Sequence, residues 1–151
     1  MTTGSSGRFP GQLAATPLAA NELAAAHQRA VALHAQGDLT AARALQERVL
    51  AACEHAFGAE HPHTLSAAGN LALTLHDQGD LAAAGALQES VFAARERVSG
   101  AEHPDTLTAA GNLAATLHDQ GDLVAARALK ERVLAARERV SGAEHPDTLT
   151  A

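Results

Sequence analysis

Residues 100–141 read GAEHPDTLTAAGNLAATLHDQGDLVAARALKERVLAARERVS, and residues 58–99 differ from them at only eight places, so that 34 of 42 residues agree. Residues 19–57 form a more diverged copy, and residues 142–151 begin a fourth copy. A fixed period of this length is typical of proteins built from stacked supersecondary units. We therefore predict one repeat domain over residues 19–151, with repeats at 19–57, 58–99 and 100–141 and a truncated repeat at 142–151.

Apolar side chains recur in each copy at helical spacing, in two stripes. In the third copy these stripes are Leu107, Ala110, Leu113, Ala114 and Leu117, followed by Leu123, Ala126, Leu129, Val133, Ala136 and Val140. The pattern predicts helices over roughly 19–36, 39–56, 59–78, 81–98, 103–120 and 123–140. Because one helix pair cannot bury both of its stripes, successive pairs must stack on one another.

The residues between the stripes are those that begin and end helices. Pro104 suits the first turn of a helix, with His103 before it as the N-cap. Gly121 can adopt the left-handed conformation that ends a helix, and Asp122 can cap the next one. The same residues recur 42 positions earlier and later, so we predict the same caps at His61 and His145.

The composition excludes several classes of protein. Aromatic residues make up 2% of the chain and the net charge is −6, which argues against a nucleic-acid surface. No apolar run is long enough to span a membrane. Residues 1–18, rich in Gly, Ser, Thr and Pro, lack the features of a signal peptide and are predicted to be a disordered tail. The single cysteine, Cys53, excludes a disulfide framework, and we predict a cytoplasmic protein.

A family resemblance rests on motifs that recur in register. They are Gly100-Ala-Glu-His-Pro-Asp-Thr-Leu107, Asn112-Leu-Ala114, Gln120-Gly-Asp-Leu123 and Ala126, with their counterparts Gly58 to Leu65, Asn70 to Ala72, Gln78 to Leu81 and Ala84. The chain resembles the 42-residue, kinesin-light-chain-like variety of tetratricopeptide repeat (TPR) and is similar to actinobacterial TPR arrays. The resemblance implies an all-α fold: a right-handed α-solenoid of three tandem antiparallel helix pairs. Leucines and polar residues stand where the family has aromatic side chains, for example Leu117 and Gln88.

By the same resemblance, the first helix of each pair lines a concave groove that binds a peptide. The predicted groove residues are Asn70, Asn112, His34, His76, His118, Asp77, Asp119, Leu73 and Thr108. An amide side chain can pair with an extended main chain of any sequence, since it both donates and accepts hydrogen bonds. An alternative is that each asparagine only bonds to a neighbouring helix.

The histidine ladder His34, His76 and His118 also suggests a metal site, but we do not favour one. Neighbouring helix axes lie about 8–10 Å apart, so three histidines on three helices cannot easily converge on one ion. Cys53 aligns with Arg95 and Arg137, which predicts an outer or partly exposed thiol. It has no positioned base, and the chain shows no catalytic motif or phosphate-binding loop. We therefore predict neither an enzyme nor a cofactor.

The predicted function is a protein–protein interaction scaffold that holds a peptide or a helix of another protein in its groove. Two alternatives stay open. The chain could be a structural or self-assembling element, a homo-oligomer stacked through the uncapped C-terminal helix pair. It could also be a fragment of a larger signalling protein's sensor array. The identity of the partner lies beyond what the sequence determines.

Overall fold

A computed structural model describes residues 18–142 as three antiparallel helix pairs, which confirms the all-α solenoid. The six helices are α1 (Ala20–Ala35), α2 (Leu39–Phe57), α3 (Pro62–Asp77), α4 (Leu81–Ser99), α5 (Pro104–Asp119) and α6 (Leu123–Ser141). Residues 1–17 of the predicted tail and most of the truncated fourth repeat, with His145, lie outside the described residues. Leu18, the last residue of the predicted tail, packs against the core of the first repeat. The predicted start of α3 at residue 59 was wrong: residues 59–61 form a turn, and the helix begins at the proline.

The predicted helix caps are present. Nδ1 of His103 accepts a hydrogen bond of 3.0 Å from the backbone N–H of Asp105, and His61 makes the same bond in the second repeat. The carboxylate of Asp122 accepts a bond of 3.1 Å from the N–H of Ala125. Gly121 lies at φ 89°, a conformation that side-chain-bearing residues rarely adopt. The capping histidine and aspartate and the glycine between the helices therefore set where each helix begins and ends in its repeat.

Small residues allow the two helices of each pair to approach closely. Ala72 on α3 and Ala84 on α4 are completely buried, and Ala114 is buried in the same way on α5. Leucine and valine fill the space around them. In the third repeat this core consists of Leu107, Ala110, Leu113 and Ala114 from α5 with Leu129, Val133 and Ala136 from α6.

The first helices of successive repeats lie closer together than the second helices do. Helix α3 packs directly against both α1 and α5 in addition to α2 and α4. Between α4 and α6 the contacts are made by a long side chain: Arg132 bonds to Glu96 at 2.7 Å and lies over the ring of Phe92. The array therefore curves with its first helices inside. We use the term inner surface for the accessible faces of α1, α3 and α5.

The prediction for Cys53 was wrong, because its side chain is only 3% exposed. The equivalent Arg95 is also buried, at 8%. Both side chains point into the junction with the next repeat, whose first helix covers them. Arg137 is exposed, since no following helix covers it within residues 18–142. The prediction assumed that a position with arginine in the other repeats is exposed. That assumption fails at a junction between repeats, which buries Arg95 and the Cys53 thiol alike.

None of the helices within residues 18–142 is both long enough and apolar enough to cross a membrane.

Candidate functional site

Histidine and aspartate side chains link the first helices along the inner surface. Nε2 of His34 on α1 lies 2.7 Å from Oδ2 of Asp77 on α3, and Nε2 of His76 lies 2.7 Å from Oδ2 of Asp119 on α5. Each histidine thus reaches the aspartate 43 residues later, one position beyond the repeat period. The structure brings together these four predicted groove residues, but as contacts between repeats. These side chains therefore contact one another before any ligand binds.

This pairing changes the protonation of the middle histidine. The hydrogen bond to Asp119 raises the pKa of His76, more strongly than partial burial lowers it, and Asp77 adds to the rise. The same bond from His76 lowers the pKa of Asp119, with a smaller contribution from His118. His118 contacts only the neighbouring Asp119 within its own helix, at 3.4 Å, and is the most exposed of the three. The end of the ladder is thus more accessible to a ligand than its middle.

The two asparagines differ although their repeats are nearly identical. Nδ2 of Asn70 lies 3.4 Å from Nε2 of His27 on α1. The residue equivalent to His27 in the second repeat is Gly69, which offers no side chain. Asn112 is half-buried, and its side-chain amide has no hydrogen-bond partner among residues 18–142. The amide of Asn112 is thus available on the inner surface, and that of Asn70 is engaged.

The remaining predicted residues also lie on the first helices. Leu73 is half-buried on α3 and Thr108 is exposed on α5. The hydroxyl of Thr108 makes no hydrogen bond within the described residues. Together with the exposed Val31 on α1, these residues give the inner surface apolar and hydroxyl groups on the N-terminal side of the His–Asp pairs.

Three contacts were not anticipated from the sequence. The first is the pairing of each histidine with the next repeat, for which the constant 43-residue separation was an available signal. The second is the contact between His27 and Asn70. The third is a ring cluster at the turn before α3, where Phe57 stacks on His61 with centroids 4.6 Å apart and meets His63 edge-on.

Apolar residues of α6 are accessible in residues 18–142. Leu123 is 57% exposed and Val124 is 83% exposed, and Leu134 and Val140 are also exposed. At the equivalent positions of α4, Leu81 and Phe92 are partly covered because α5 packs beside them, whereas Ala82 and Val98 are exposed as Val124 and Val140 are. Leu123 and Leu134, which share one face of α6, therefore form the second accessible apolar region that could take part in binding.

In the part of the chain that the structure describes, no three His, Cys, Asp or Glu side chains are grouped so that they could hold a metal ion. The His–Asp pairs lie on three parallel helices and run along the array: His34 reaches Asp77 on α3, and His76 reaches Asp119 on α5.

Comparisons with known proteins agree with this architecture. The family model for the tetratricopeptide repeat matches residues 21–97, 65–139 and 105–151. Two solved structures, of a Podosopora anserina protein described as a kinesin light chain with nearly identical TPR-like repeats and of a point variant of it, superpose with a TM-score of 0.76 at 29% identity. The match covers 85% of this chain and 61% of those chains. Among curated proteins, none matches this sequence.

Proposed function

Because the chain belongs to the tetratricopeptide-repeat family, whose repeats generally mediate protein–protein interaction, we propose that its inner surface binds an extended peptide or a helix of a partner protein. The kinesin-light-chain-like type of the repeats agrees with a scaffold that has no catalytic role. In this proposal the first helices supply the contacts, and the second helices hold them in place.

The observation that carries the proposal is the accessible amide of Asn112. This half-buried amide can bond to a ligand without giving up a partner in the described part of the chain, so the net gain is that of one ordinary hydrogen bond. An amide can donate to a backbone carbonyl and accept from a backbone N–H at once, as an extended peptide requires. Thr108, four residues earlier on α5, is on the same face of the helix and can add a hydroxyl contact.

The His–Asp pairs support binding in a different way. They connect α1 to α3 and α3 to α5, so the spacing between the ligand-facing side chains is set before binding. A preorganised surface loses less conformational entropy when it binds a ligand. Leu73 lies about one turn before His76 and Asp77 on the middle first helix, α3, and offers an apolar contact there.

We expect Asn112→Ala to weaken binding of peptides selected on this protein by about tenfold, the effect of removing one well-formed polar contact of about 1.4 kcal/mol. The peptides would come from a displayed random library, and the affinities would be measured by fluorescence anisotropy. Glu89→Ala, an exposed change on the second helix α4, serves as the matched control and should leave the affinity unchanged. Equal affinities for Asn112→Ala and the parent protein would rule out the proposed role of this amide.

Self-assembly is the second candidate function, and the exposed apolar residues of α6 favour it. Leu123 and Leu134, eleven residues apart on one face of α6, would be covered if that face packed against another copy of the chain. A shared α6 face would produce a closed two-fold dimer, whereas head-to-tail contact would produce open chains.

For this candidate we expect light scattering to show a mass that rises with protein concentration. The double substitution Leu123→Lys with Leu134→Lys should hold the protein as a monomer, because it places two charges in the apolar contact. Val98→Lys, at an apolar α4 residue that is also exposed, is the matched control and should behave as the parent protein does. A parent chain whose mass stays that of a monomer at every concentration would eliminate self-assembly.

A further inference from the structure

The two junctions between neighbouring repeats differ at a buried position. At the second junction, between the second and third repeats, Nη2 of Arg95 donates to Oγ of Ser66 at 3.1 Å. Nη1 of the same side chain lies 3.5 Å from Oδ2 of Asp105 on α5. The hydroxyl of Thr106 donates to the carbonyl oxygen of Arg95 at 3.2 Å. A long, satisfied arginine thus fills the space where α3, α4 and α5 meet.

At the first junction three of the four side chains of this arrangement are replaced, and Thr64 stands for Thr106. Counting back 42 residues, Cys53 stands for Arg95, Ala24 for Ser66 and His63 for Asp105. Cys53 is too short to occupy the volume of an arginine. A pocket of about 490 Å³ lies there, between α1, α2 and α3. Its lining includes Leu23, Val49, Cys53 and Phe57, with His27 and Gln28 from the inner face of α1.

The residues that line the pocket favour an apolar ligand group over a cationic one. Among residues 18–142 no carboxylate lines the pocket, so a guanidinium or ammonium group would lose its hydration without gaining a counter-charge there. Burial raises the pKa of the Cys53 thiol, with a smaller contribution from Glu54, so the sulfur stays neutral near neutral pH. A neutral thiol behaves as a small apolar group. The volume falls within the range of small-molecule pockets and exceeds that of one leucine or phenylalanine side chain.

The pocket is continuous with the inner surface. His27, which lines it, contacts the amide of Asn70 on α3. Ser66 also lines it and lies one helical turn before Asn70. A peptide that lies along the first helices therefore passes the mouth of the pocket.

We propose that the pocket at the first junction receives an apolar side chain, such as leucine, methionine or phenylalanine, of the peptide bound on the inner surface. This inference rests on the proposed function and specifies the class of ligand: a peptide with one apolar anchor. Arg95 fills the second junction, so only the first junction of the two can receive the anchor. The bound peptide must therefore carry its apolar residue where it passes the first junction.

The test uses N-acetyl-leucinamide as the probe, with N-acetyl-argininamide for comparison, in NMR titrations of the full chain. We expect saturable shifts at Leu23, Val49 and Cys53 with the leucine probe, at an affinity on the order of 1 mM for so small a ligand. The arginine probe should bind at least tenfold more weakly. Equal binding of the two probes, or no shifts at these residues, would overturn the proposal.

The chain itself supplies the matched variant. The triple substitution Ala24→Ser, Cys53→Arg and His63→Asp installs the residues of the second junction at the first, and leucinamide binding should be lost. A circular dichroism melt checks that this variant folds. If it does not fold, Cys53→Met, which shortens the pocket with an apolar side chain, replaces it and should weaken leucinamide binding at least fivefold. Unchanged leucinamide binding in the folded variant overturns the assignment of the pocket.

The same variants separate the two proposals. Selected peptides that bind the parent and the triple variant equally, yet lose affinity with Asn112→Ala, would overturn the anchor and support the inner surface. If no peptide is selected while leucinamide still binds at Cys53, the proposed function falls and the peptide anchor falls with it. Peptides that share one apolar residue, and lose at least tenfold in affinity with the triple variant, would support both.

Discussion

Leu113→Ala should lower the free energy of unfolding by about 3 kcal/mol, since it removes a buried side chain and leaves a cavity that helix packing only partly closes. Leu113 is 5% exposed and lies at the centre of the third repeat, against Ala110, Leu129 and Val133. Because each repeat is stabilised through its neighbours, the loss should also weaken the packing of α5 on α4. Urea denaturation followed by circular dichroism measures the change.

The same substitution at Leu123 is the matched control. Leu123 begins α6 and is 57% exposed, so alanine there removes little buried surface. We expect a change within about 0.5 kcal/mol, as for other surface substitutions. Similar losses at Leu113 and Leu123 would show that the core of the third repeat is not packed as the structure describes.

Ala84→Leu should destabilise the second repeat by about 2 to 3 kcal/mol, because it adds three carbon atoms where no space exists. Ala84 on α4 is completely buried against Leu71 and Leu75 of α3. The larger side chain can be accommodated only if α3 and α4 move apart. That movement would shift α5 as well, and the transition midpoint in urea should fall accordingly.

Ala82→Val provides the comparison for this second change. Ala82 is exposed two residues earlier on α4, and the third repeat carries Val124 at the same position. Valine costs only a few tenths of a kcal/mol relative to alanine in an exposed helix. If Ala84→Leu proves as mild as Ala82→Val, then α3 and α4 are not tightly packed against each other at Ala84.

The fold could be predicted in most of its parts because the signals are local and repeated. Pro104, Gly121 and Asp122 act through backbone conformation and through bonds to neighbouring N–H groups, so their effects do not depend on distant residues. The one misplaced helix start, before Pro62, conflicts with the cap predicted at His61, and the identical residues 100–103 of the third repeat give the start to within one residue.

The candidate site was predicted less completely, and the reason is the offset between repeats. Periodicity identifies which residues share a face, but it does not show how far one helix slides along the next. That displacement brings His34 to Asp77 and His76 to Asp119, and it leaves Asn112 opposite a glycine. The near-identity of the two repeats gives no sign that Asn70 and Asn112 differ. Each amide faces a residue of the preceding repeat, which is His27 for Asn70 and Gly69 for Asn112.

The amino-acid sequence by itself determined the period, the helices with their caps, and the need of each pair for a neighbour, since all of these follow from local geometry and from apolar stripes that must be buried. Only the tertiary structure decided which groups lie at the junctions. Burial there depends on the side chains that two different repeats contribute, which is why Arg95 and Cys53 are both buried and why the space around Cys53 is open.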